Sequence, residues 1–149
     1  MPPSVFTLKQ KFPDVEERDA VGPFKAAIKR GTPEFAKLVR NDNPDIVFKN
    51  EEHTGADMMM TPRLKEKVDA LAVLVKAEFP GLKLRITEAW DDSSIHASTS
   101  RHLEGRAVDI TASDVDRTKL GRLAGLAAEA GFDWVFFEDK LHVHASVKK

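Results

Sequence analysis

Leu64, Val68, Leu71 and Val75 recur at spacings of four, three and four along TPRLKEKVDALAVLVKAEFPG (61–81), the signature of one apolar helix face. Thr61 and Pro62 supply a cap and a first-turn residue, and Pro80 with Gly81 write the stop. The next residues change period: Leu82, Leu84 and Ile86 alternate with Lys83, Arg85 and Thr87 in LKLRITEAW (82–90), which is the pattern of a half-buried strand. RAVDIT (106–111), FDWVFFE (132–138) and LHVHASV (141–147) read as further strands, and DIVFK (45–49) as a short one. DVDRTKLGRLAGLAAEAG (114–131) reads as a helix ended by Gly131. TPEFAKLVRN (32–41) reads as an earlier helix that repeats the Thr-Pro start, with Phe35, Leu38 and Val39 on one face. NEEHTGAD (50–57) is an acidic loop, and residues 1–30, punctuated by Pro2, Pro3, Pro13, Gly22 and Pro23, form an irregular arm. Together these elements predict a single α+β domain over 1–149, a mostly antiparallel or mixed sheet with helices packed on one side.

Composition narrows the chemistry more than the fold. With 149 residues, 42% hydrophobic, 32% charged and a net charge of -1, the chain suits one ordinary globular core. Near-neutral charge gives no ground for nucleic acid or an anionic membrane as partner, and a monomer is expected. No apolar run reaches the roughly 18 residues of a membrane span, and the first twenty residues lack the apolar segment of a signal peptide. A cytoplasmic location is therefore expected, unless the chain is a piece of an exported protein. Cysteine is absent, so any metal must be held by nitrogen and oxygen.

Alternation in LHVHASV puts His142 and His144 on one sheet face and Leu141, Val143 and Ala145 on the core side. In RAVDIT, Val108 and Ile110 point to the core and Asp109 away from it. Gly105 lets SRHLEGRAVDI (100–110) fold back, so that His102 approaches Asp109. Two histidines and one carboxylate, His102, His144 and Asp109, leave a fourth coordination position open, as catalytic zinc sites do. Zinc would lower the pKa of a bound water to roughly 7. Glu138 then suits the base that takes its proton, and His142 suits an oxyanion donor. This constellation predicts a zinc site on the sheet face.

The same residues carry a likeness to a known family. NPDIVFKNEEHTGADMMMTPRLKEKVDAL, LKLRITEAWDD, SRHLEGRAVDITASDVDR and LAAEAGFDWVFFEDKLHVHASVK together resemble the hedgehog amino-terminal signalling domain, from about Lys9 to the end of the chain. The resemblance is to a bacterial-type or otherwise divergent member. It implies one zinc ion on His102, Asp109 and His144, with Glu138, His142 and His96 lining the cleft. It also implies kinship with zinc D-alanyl-D-alanine carboxypeptidases and dipeptidases, whose pattern is met by Ser100, His102, Gly105, Ala107 and Asp109. One or two calcium ions are implied at Glu51, Glu52, Asp57, Glu88, Asp91 and Ser93. Ser93 stands where the family has a carboxylate, so the second ion should be the weaker. Animal members carry lipids at both ends; this cysteine-free sequence, with no self-processing segment, is expected to be unlipidated.

Two functions remain open on these residues. The first is a calcium-modulated zinc metallopeptidase, a hydrolase acting on small peptides or peptidoglycan stems with Glu138 as base. The second is a non-catalytic zinc- and calcium-binding module that docks a protein partner at its calcium face, as the animal ligands do.

Overall fold

The computed structural model describes residues 2–49, 55–91 and 100–149. Its main sheet has six strands: β1 (Lys11–Phe12), β3 (Ile46–Phe48), β5 (Leu84–Glu88), β6 (Ala107–Ala112), β7 (Trp134–Phe136) and β8 (Val143–Ser146). Their spatial order is β1-β7-β8-β6-β5-β3. Only β3 and β5 run parallel, so the sheet is mixed, as expected from the alternating strands. Two further strands, β2 (Val39–Arg40) and β4 (Met59–Met60), pair with each other outside it.

Two long helices cover one face of this sheet. Helix α2 (Pro62–Glu78) begins where the Thr-Pro pair placed it: the Thr61 hydroxyl accepts the Leu64 N–H at 3.2 Å. Leu64, Val68, Leu71 and Val75 are all fully buried, so the four-three-four spacing was the core stripe. Helix α3 (Leu120–Ala130) stops at Gly131, whose φ of +98 is left-handed and whose N–H returns to the Ala127 and Ala128 carbonyls. Against these helices lie Leu84, Ile86, Val108, Ile110, Val143 and Ala145 from the sheet.

Three expectations need correction. Residues 32–41 hold only a single 3-10 turn, Phe35–Lys37, after which Val39 and Arg40 extend to pair with Met60 and Met59. Strand pairing at a β-branched residue wins there over a weak helical pattern. Leu141 is 56% exposed because β8 begins two residues later, at Val143. Helices do not all share one side: α1 (Glu17–Val21) lies on the opposite face, where Glu17 reaches His144.

Residues 2–30 contain β1 and α1 within otherwise irregular chain, and this segment is tied to the domain at several points. Phe6 and Val21 are buried, the Trp134 indole N–H donates to the Val15 carbonyl, and the Phe6 N–H donates to the Gly121 carbonyl at 2.9 Å. Residues 4–6 lie so close along α3 that a β-carbon at Gly121 or Gly125 would run into the carbonyls of Phe6 and Ser4. Glycine there permits the approach of two backbones.

Candidate metal centre

Register builds the site. Across neighbouring strands Glu88 faces Asp109, Asp109 faces His144, and His144 faces Phe136. Since strand side chains alternate, the polar members of this row rise from the face opposite the two long helices. An irregularity between Ile86 and Glu88 re-aims the end of β5 at the row. His102 joins from a 3-10 turn, Arg101–Glu104, which the Ser100 hydroxyl caps and a left-handed Gly105 ends.

The distances suit a tetrahedral ion. His102 Nε2 and His144 Nδ1 each lie 3.2 Å from Asp109 Oδ1, and one donor atom from each of the three residues falls within 4.8 Å of the others. Ligands about 2.0 Å from zinc at tetrahedral angles are separated by roughly 3.3 Å. The outer atoms also fit. His102 Nδ1 lies 2.9 Å from the Ala89 carbonyl, which fixes the ring with Nε2 toward Asp109. His144 Nε2 lies 2.6 Å from Glu17 Oε2, which leaves Nδ1 toward the same point. Such outer partners orient the imidazoles of metal sites. Trp134 packs edge-on against His144 at 5.8 Å between ring centroids.

Protons and carboxylates balance one another in this cluster. Burial would push the His144 imidazolium down, but hydrogen bonds and charge from Asp109 and Glu17 outweigh it and raise the pKa to about 10. Glu17 is pulled the other way: burial alone would raise it, and His144 lowers it to about 2. For Asp109 the same contest of burial against His102 and His144 ends well below the ordinary carboxylate range. His102 is likewise raised, burial being overcome by Asp109. A buried carboxylate with cationic neighbours is a site built for positive charge, and a divalent ion would replace these protons.

Glu138 and His142 stand beside this cluster rather than in it. Their side chains meet at 2.6 Å, and His142 Nε2 is 3.6 Å from Asp109 Oδ2. Burial would lower the His142 pKa, but the hydrogen bond its imidazole donates to the Glu138 carboxylate carries it upward.

Of the six positions implied for calcium, three are described. Asp57 lies on a 3-10 turn (Ala56–Met58) that packs against β5, and the Trp90 N–H donates to the Met59 carbonyl, which holds that turn beside Glu88 and Asp91. Glu88 also leans toward the metal cluster, with Oε2 3.5 Å from His102 Nε2. Glu51, Glu52, Ser93 and His96 lie outside the described residues. Glu17 escaped the sequence reading altogether, since nothing local in VEERDAV marks it and its partner is 127 residues away.

Comparison with known proteins settles the kinship. The family model described as the Hedgehog amino-terminal signalling domain matches residues 3–146. The Indian hedgehog protein of Gallus gallus is 53% identical over 142 residues, covering 94% of this chain and 35% of that protein. For the Sonic hedgehog protein of Xenopus laevis the values are 54%, 94% and 32%; for the Protein hedgehog of Drosophila simulans they are 49%, 95% and 36%. The chain spans about a third of the length of these curated relatives. Two expectations fall with these matches. The relatives are vertebrate and insect proteins, not bacterial ones, and the matched family is a signalling domain, not a hydrolase. The hydrolase reading is thereby overturned, and neither the peptide or peptidoglycan substrate nor the cytoplasmic location finds support. No helix among the described residues is long and apolar enough to cross a membrane. The chain belongs to the hedgehog amino-terminal signalling family.

Proposed function

We propose that this hedgehog-family chain is a non-catalytic signalling module that acts outside the cell by docking a receptor protein. The observation that carries this reading is the match of residues 3–146 to a signalling domain. The docking face we assign is the polar sheet face around His102, Asp109 and His144. One zinc ion on these three residues would supply a fixed positive charge and tie β6, β8 and the 101–104 turn together. The 3.2 Å separations and the orienting contacts of Glu17 and Ala89 support that assignment. Glu138 and His142 then serve as polar contacts on the same face. Calcium, one or two ions, is proposed at Asp57, Glu88 and Asp91, with Glu51, Glu52 and Ser93 as the family likeness implies, since an acidic set of this kind favours a cation.

Elemental analysis after exhaustive dialysis tests the metal, and a cell line with a hedgehog-responsive reporter tests the signal. One zinc per chain, lost in His144→Ala, together with reporter activation by the purified domain, is the expected result. A chain that retains no zinc, or that leaves the reporter silent while folded and metal-loaded, would contradict the respective half of the proposal.

A further inference from the structure

A second concavity, of about 640 Å³, opens elsewhere on the molecule and contains none of His102, Asp109, His142 or His144 in its lining. That volume lies in the roughly 300–1,000 Å³ range of small-ligand sites. Its walls are mostly apolar, formed by Ala26, Ala27, Ile28, Leu38 and Pro62. Part of the wall is held in place: the Ile28 N–H donates to the Leu103 carbonyl at 2.7 Å, and the Ile28 carbonyl accepts from the Trp90 indole at 3.0 Å.

Charge around this cavity is lopsided. Glu104 and Arg106 line it as a buried pair, with the Arg106 guanidinium 2.6 and 3.1 Å from Glu104 Oε1, so they cancel. Arg63 is spent on a two-pronged pair with Asp133 at 2.9 Å. Four lysines remain: Lys25, Lys29, Lys37 and Lys149 line the cavity and are exposed, and the first three have no carboxylate within ion-pair distance among the described residues. Glu34 is the sole other side-chain carboxylate in the lining, so the lysine side chains outnumber it and leave a surplus of positive charge. Long lysine side chains lay their stems on apolar surface and keep the ammonium in water. The outcome is an apolar pocket with a cationic mouth.

A purely anionic ligand would waste the apolar walls, and a neutral apolar one would leave the lysines without a counter-charge. We propose that this cavity binds a free long-chain carboxylate, the acyl chain on the wall of Ala26, Ala27, Ile28 and Leu38 and the headgroup among Lys25, Lys29 and Lys37.

The test is a nuclear magnetic resonance titration of the whole chain with sodium laurate, held below its aggregation concentration. Matched titrations use dodecyltrimethylammonium, which carries the same chain on a cation, and acetate, which carries the headgroup without the chain. Laurate should shift the Ala26, Ala27, Ile28 and Leu38 signals saturably, at least tenfold more tightly than either control. The variant with Lys25→Gln, Lys29→Gln and Lys37→Gln, all on the surface, should weaken laurate at least tenfold, and Ala27→Trp should abolish the shifts. Absence of a laurate response overturns the site. So does equal affinity for the cationic amphiphile or for acetate, or a laurate affinity that the lysine variant leaves unchanged.

Discussion

At the scale of the residue, the proposed zinc site is a charge cluster in which raised histidines face lowered carboxylates. His144, at about 10, is protonated at neutral pH, and its Nδ1 is the atom turned toward Asp109. Zinc binding must therefore expel that proton. Calorimetry in buffers of different ionisation enthalpy should report at least one proton released per zinc at pH 7; a buffer-independent enthalpy would rule this out. The metal-free protein gives a second reading. A raised histidine contributes stability fully below its ordinary value of 6.5 and loses it as pH climbs toward about 10. Glu17 contributes fully above 4.5 and loses its share as pH falls toward about 2. Urea midpoints of the metal-free parent and Glu17→Gln should thus differ most between pH 4.5 and 6.5 and converge at both extremes. Removing the carboxylate that orients His144 should also weaken zinc by roughly 10–100-fold, read by competition with a chromogenic chelator. The sequence could bring His102, Asp109 and His144 together because strand alternation and the Gly105 bend are local properties. It could not locate Glu17, whose role exists only once α1 crosses the far face of the sheet.

At the scale of the element, legibility followed the length of the pattern. Helix α2 was readable from a stripe of four residues spread over three turns, and each of them is fully buried. Leu71→Ala should cost about 2–5 kcal/mol, measurable by denaturant unfolding; a loss below 1 kcal/mol would mean the stripe is not the core. The segment 32–41 was misread because ten residues hold too few helical repeats to outvote the pairing of β2 with β4. Helix α3 shows a second kind of hidden information. Its Gly121 and Gly125 look like helix-weakening residues in the sequence, yet they are where residues 4–6 lie against it. Gly125→Ala should gain helix propensity and still destabilise, by about 1–3 kcal/mol, because the new methyl group displaces the Ser4 carbonyl. Hydrogen exchange at the Phe6 amide, bonded to Gly121, should quicken with it. Stabilisation in that variant would show that the N-terminal segment is not packed as described.

At the scale of the whole molecule, a mixed sheet separates two tasks. One face is buried under α2 and α3 and holds the fold; the other carries the Glu88, Asp109 and His144 row. The polar face alone is compatible with hydrolysis or with recognition, because a polarising ion beside Glu138 and His142 suits either. Kinship favours recognition, since a family of signalling domains matches almost the entire chain. The central claim is that the metal-bearing face is the docking surface. Its most direct test is surface plasmon resonance of the zinc-loaded chain on the extracellular region of a hedgehog receptor, beside Asp109→Ala verified to be folded. Saturable binding by the parent, weakened at least tenfold in Asp109→Ala and on zinc chelation, is the predicted result. Equal binding by the zinc-loaded parent, the chelated parent and the variant would contradict the claim and move the docking surface elsewhere.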